Sequence, residues 1–117
     1  MTNSRDKGKR GERELAKILT ALLGAECRRG QQYNGIEGQD VVGIDGIHIE
    51  CKWVERLNVR AAYEQADRDA GPCTVPVVCH KRNGRPWLIT MALDEILNFG
   101  MAIDDVLDDV ERGKDSE

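Results

Sequence analysis

The 117-residue sequence is poor in aromatic residues and histidine and has no long apolar run. Its longest apolar stretch, residues 18–25, is already interrupted by Thr20 and Gly24. A bilayer span needs about 20 apolar residues, and the amino terminus is charged rather than leader-like. No membrane association is expected, and a cytoplasmic location is. The five aromatics (Tyr33, Trp53, Tyr63, Trp87, Phe99) are too few and too dispersed to form a platform for stacked bases. His48 and His80 stand far apart with no HExxH or HxH spacing, which argues against a histidine metal centre or a histidine acid–base pair. Neither GxxxxGK[ST] nor GxGxxG occurs, so no nucleotide cofactor is expected. Cys27, Cys51, Cys73 and Cys79 lack CxxC spacing and read as reduced thiols; a zinc site from Cys73, Cys79 and His80 is the lesser alternative.

What the sequence has is charge, unevenly placed. The net charge is −4, but residues 104–117 hold seven acids against Arg112 and Lys114, which leaves residues 1–103 at +1. Residues 1–30 alone carry eight bases and four acids, and a second basic knot lies at Lys81, Arg82 and Arg85. Local patches, not whole-chain charge, govern attraction to phosphates, so a nucleic-acid partner stays open beside plain solvated surface.

Along the chain, residues 1–8 read as a disordered basic arm, residues 9–100 as one folded domain, and residues 101–117 as an acidic helix or tail. Leu15, Ile18, Leu19, Leu22 and Leu23 recur at helical spacing, predicting a helix over residues 9–23 ended by Gly24. A short strand is expected at residues 25–28 and a glycine-rich mobile loop at 30–38. Strands follow at 39–43 and 47–53, then a helix capped by Asn58 and stopped at Gly71-Pro72. A hairpin around Asn83-Gly84 joins strands at 75–80 and 86–91, with Pro76 and Pro86 at an edge or at strand starts. Helices are expected at 92–99 and 101–111, the second with an apolar stripe of Ile103, Val106, Leu107 and Val110. The order αβββαββα defines an α/β fold, a mixed sheet with helices on both faces.

Within this frame Asp40, Glu50 and Lys52 stand out. Glu50 and Lys52 are two apart in a strand and share a face, where a polar pair is costly without a use. A three-residue loop Ile44-Asp45-Gly46, with left-handed Gly46, sets Asp40 opposite Glu50; a two-residue turn would set it opposite Cys51. Two carboxylates meeting across strands repel unless a proton or cation intervenes, and Mg²⁺ suits few carboxylates plus waters and phosphate oxygens. On a helical wheel Glu12 falls on the apolar stripe whereas Glu14 points to water. Glu12 then either joins the acids or forms a salt bridge at the edge of the core.

Asp40 with Glu50-Cys51-Lys52, in this element order, resembles the PD-(D/E)xK nuclease superfamily with its restriction-endonuclease-like core. The opening Lys7-Gly8-…-Gly11-Glu12-Arg13-Glu14-Leu15 is similar to the first helix of archaeal-type Holliday junction resolvases and their phage relatives. The resemblance spans about residues 7–90 and departs at Gln39, where a proline often precedes the acid. It implies metal-assisted phosphodiester hydrolysis, with Asp40, Glu50 and the Cys51 carbonyl holding Mg²⁺ (Mn²⁺ substituting) and Glu12 assisting. Lys52 would orient the attacking water or stabilise the phosphorane charge. Gln65 matches a glutamine that some members place near the site, or is a plain helix-surface residue. Lys9, Arg10, Arg13, Arg28, Arg29, Gln31, Gln32 and Asn34 are the candidate DNA contacts. The implied protein is a homodimeric endonuclease acting on four-way DNA junctions in recombination and repair, in a bacterial or phage-infected cell. A nicking nuclease on the same core, or a non-catalytic DNA-binding module, are its alternatives.

Overall fold

The computed structural model describes residues 4–30 and 38–115. The elements are α1 (Ser4–Leu23), β1 (Arg28–Arg29), β2 (Val41–Val42), β3 (Ile47–Trp53), α2 (Val59–Asp69), β4 (Val75–Lys81), β5 (Leu88–Thr90), a 3₁₀ turn (Leu93–Glu95) and α3 (Ile96–Asp115). The five strands lie in chain order in one sheet. β1–β2, β2–β3 and β4–β5 are antiparallel, while α2 carries the chain over to the parallel pair β3–β4. This is the α/β mixed sheet that the hydrophobic periodicity predicts.

α2 forms where its signals lie. The Asn58 side chain accepts from the Ala61 N–H (3.0 Å), filling one orphan donor of the first turn. Ala62 and Ala66 then bury against Val78 of β4, with Leu57 and Tyr63 alongside. The other sheet face, bearing Ile47, Ile49, Cys51, Val75, Val77 and Cys79, is covered by Leu15, Ala16, Leu19 and Leu23 of α1 and by Phe99, Ala102, Ile103 and Val106 of α3. Burying both faces makes two cores divided by the sheet.

Three expectations need correction. α1 starts at Ser4, not residue 9, because Arg5, Lys7 and Lys9 are good helix formers, Asp6 suits the first turn, and no proline intervenes. Its packed stripe also shifts, leaving Leu22 73% exposed. Gly11 sits where α1 presses on the end of β3, and a β-carbon there would come 3.3 Å from Trp53 Cε3. The two expected C-terminal helices are one, since α3 passes through Gly100 without a break. A helical glycine costs about 1 kcal/mol, less than the burial that the continuous stripe provides. Leu107 is 41% exposed, so that stripe is Phe99, Ala102, Ile103 and Val106. Among the described residues no helix is long and apolar enough to cross a membrane.

Candidate active site

The β2–β3 register is the one that places the acids together. Val41 pairs with Ile49, and Gly46 turns the connection at φ 87°, where a side chain would be strained. Counting back one residue sets Asp40 across from Glu50. β2 stops there, but its partner strand is not left bare. The Asp40 N–H donates to the Ile49 carbonyl (2.9 Å), and the Ile49 N–H donates to Gln39 Oε1 (3.1 Å). The Cys51 N–H in turn donates to Asp40 Oδ2 (2.8 Å). Side chains thus replace ladder bonds, and the same bonds fix the Asp40 carboxyl at the edge of β3.

Glu50 is 3% exposed and Oε1 lies 2.9 Å from His48 Nε2, itself buried. Burial raises the Asp40 carboxyl to about 7; the Cys51 N–H opposes this, and the negative charges of Glu50 and Glu12 add to it. Glu12 is also held above its ordinary value, by burial first, although Arg29 Nε bonds its Oε2 at 3.0 Å and counteracts part of the rise. These three carboxyls therefore feel one another in a partly dry setting. Lys52 Nζ reaches Gln65 Oε1 on α2 at 3.4 Å, so Lys52 and Gln65 lie on the α2 face with Glu50.

Among the described residues no three His, Cys, Asp or Glu side chains converge tightly enough to enclose an ion by themselves. The donor set fits a hard divalent ion of the open kind nonetheless: two adjoining carboxylates, with the Cys51 carbonyl beside them and the remaining positions left to water and phosphate oxygens. Burial lifts Asp40 first and the charges of Glu50 and Glu12 add to it, and a divalent cation would relieve that added repulsion. The zinc alternative does not hold, for Cys79 is buried in the α1/α3 core while Cys73 is exposed. Burial pushes the Cys79 thiol up to about 12 and drives the Cys51 thiol higher still, so both are inert.

The expected DNA contacts divide. Arg13, Arg28 and Arg29 line a groove of about 490 Å³ with Lys17 beside them, although Arg29 is partly committed to Glu12. Arg10 stacks over Trp53 at 5.3 Å, joined there by Lys7 and Lys81, and Lys9 is half-buried. Gln31, Gln32, Asn34 and most of the glycine-rich loop lie outside the described residues. Glu14 does not point into water: Lys81 Nζ and Trp87 Nε1 both donate to its Oε1, at 3.1 and 3.0 Å, which holds its carboxyl low. Sequence reasoning missed Gln39 and His48. It noted Lys81, Arg82 and Arg85, but not that Arg56 completes with them a cleft of about 560 Å³ at the ends of β3 and β4.

The profile of the family described as phage putative PDDEXK endonuclease matches residues 3–107, and the chain belongs to that family. It is accordingly an endonuclease with DNA as partner, in a superfamily that generally uses divalent metals. No curated protein matches the sequence. Among solved structures, Hjc of Archaeoglobus fulgidus, a Holliday junction resolvase from an archaeal hyperthermophile, is similar at 25% identity and TM-score 0.53, over 73% of this chain and 72% of Hjc.

Proposed function

We propose that the protein is a Mg²⁺-dependent, structure-selective endodeoxyribonuclease that resolves four-way DNA junctions. The observation that carries the proposal is the Asp40–Glu50 pair, set face to face across β2 and β3 with Lys52 on the same face. The fold similarity to a junction resolvase favours the branched substrate. Asp40 and Glu50, with the Cys51 carbonyl, hold the ion. Once bound, a divalent ion lowers the pKa of a coordinated water and neutralises oxygens that gain charge. Lys52 faces the same space and holds the attacking water or the negative charge developing on phosphorus. Gln65 aims the Lys52 ammonium through their shared bond. Glu12, pinned by Arg29, adds negative charge at the rim. The bases in the two grooves grip backbone phosphates, which positions DNA without reading sequence.

The test is cleavage of labelled four-way junction, linear duplex and single strand, with and without Mg²⁺. Metal-dependent paired nicks in the junction alone support the reading. Equal nicking of linear duplex replaces it with a general nicking nuclease, and binding without cleavage of any substrate replaces it with a DNA-binding module.

A further inference from the structure

His48 sits on β3 one pleat before Glu50, on the face covered by α2, and is 6% exposed. In register it faces Pro76, and Glu50 faces Val78, so the neighbouring strand offers apolar side chains here. Its Nε2 lies 2.9 Å from Glu50 Oε1, and a carboxylate oxygen only accepts, so Nε2 carries the proton. A buried polar pair of this kind is usually neutral or worse for stability than apolar residues of similar volume. A structural role alone explains it poorly, since valine or isoleucine fills such a position on a buried strand more cheaply.

The bond does something a core residue would not. Glu50 has three side-chain torsions to fix, beside the like charge of Asp40. A donor on one carboxylate oxygen sets the carboxylate plane and leaves the group turned toward Asp40. We infer that His48 is a positioning residue: through its Nε2–H bond to Glu50 Oε1 it holds that carboxylate in the orientation a divalent cation needs. Partners behind a ligating group commonly change metal affinity by about 10- to 100-fold when removed. The inference rests on the reading of Asp40 and Glu50 as the metal-holding pair and extends it to a residue outside the motif.

The experiment compares His48→Leu, His48→Asn and His48→Gln in the whole protein. Glutamine places an amide donor at about the reach of imidazole Nε2; asparagine falls short; leucine packs without a donor. Mn²⁺ binding to the DNA-free protein is measured by calorimetry, beside the Mg²⁺ midpoint for cleavage and circular dichroism to verify folding. Wild type is expected to bind Mn²⁺ in a manner lost in Asp40→Asn. His48→Leu and His48→Asn should weaken binding at least 10-fold and raise the Mg²⁺ midpoint in step, while His48→Gln stays within about 3-fold of wild type. If His48→Leu does not fold, the contrast between asparagine and glutamine carries the test. A folded His48→Leu or His48→Asn with wild-type Mn²⁺ affinity overturns the inference and leaves the metal-site reading intact. Wild type that neither binds Mn²⁺ nor cleaves overturns both.

Discussion

At the scale of single residues, the proposed site turns on a carboxyl, Asp40, that burial and two acidic neighbours hold above its ordinary value. Asp40→Asn, Glu50→Gln and Lys52→Ala should each abolish cleavage yet leave DNA affinity within several-fold, because phosphate contacts elsewhere dominate binding. Full Mg²⁺-dependent activity of Lys52→Ala would exclude it from the chemistry. Stability carries a second signature. A carboxyl whose folded pKa is raised, as for Asp40, stabilises the fold below its ordinary value of about 4, and that contribution is lost as pH climbs to about 7. In EDTA, wild type should therefore lose melting temperature relative to Asp40→Asn between pH 5 and pH 8, and Mg²⁺ should narrow the gap. A gap independent of pH would mean that the Asp40 carboxyl is not raised in the fold. Asp40, Glu50 and Lys52 were legible because strand alternation and Gly46 together specify one register. His48 was visible on the same face, but nothing in an isolated histidine announces a partner two residues away. Gln39 was noticed only as a departure from proline, and its role depends on where β2 ends.

At the scale of elements, two features separate what periodicity can reveal from what packing decides. The caps of α2 are written locally, in Asn58 and Gly71-Pro72, and the helix runs between them. The start of α1 has no such punctuation, and the junction at Gly100 looks like a break until Phe99, Ala102, Ile103 and Val106 are seen to share one buried stripe. The edge of β3 is completed by side chains, so Gln39→Ala should leave the Ile49 N–H, on a residue only 2% exposed, without its acceptor. A cost of about 1–2 kcal/mol in urea unfolding is expected, with an unchanged denaturant slope. No loss would mean water takes over the bond. α3 allows a different test. Its exposed Asp104, Asp105 and Asp108 lie on the helix that covers the sheet face opposite α2, away from Glu50 and Lys52. Acids there should disfavour DNA on the wrong side. Converting the three to asparagine should raise linear-duplex affinity several-fold at low salt and steepen its salt dependence, without moving the melting temperature by much. Truncation at residue 101 would be the poorer experiment, because Val106 belongs to the core. An unchanged affinity would make the acidic row ordinary solvated surface.

At the scale of the whole molecule, the proposed junction substrate raises the question of how a single site serves a symmetric target. Each chain presents one Asp40–Glu50–Lys52 arrangement, whereas resolving a four-way junction requires two nicks related by symmetry. A twofold dimer supplies them, and twofold dimers are the commonest oligomers. The charge distribution agrees with recognition by shape. There are two basic grooves, one of Arg13, Lys17, Arg28 and Arg29, in which Arg29 bonds Glu12, and one of Arg56, Lys81, Arg82 and Arg85 at the ends of β3 and β4. None of these belongs to a helix that stands free to enter a major groove, as α1 and α2 both spend their apolar faces on the sheet. Contacts confined to phosphates make affinity depend on how the backbones are arrayed and on salt, and hardly at all on base sequence. The protein should therefore sediment as a dimer and hold labelled four-way junction against a large excess of unlabelled duplex at physiological salt. Junctions of unrelated sequence should compete equally with one another. Displacement by duplex as readily as by junction, from a protein that sediments as a monomer, would mean that the two grooves grip any DNA and that the site nicks one strand at a time.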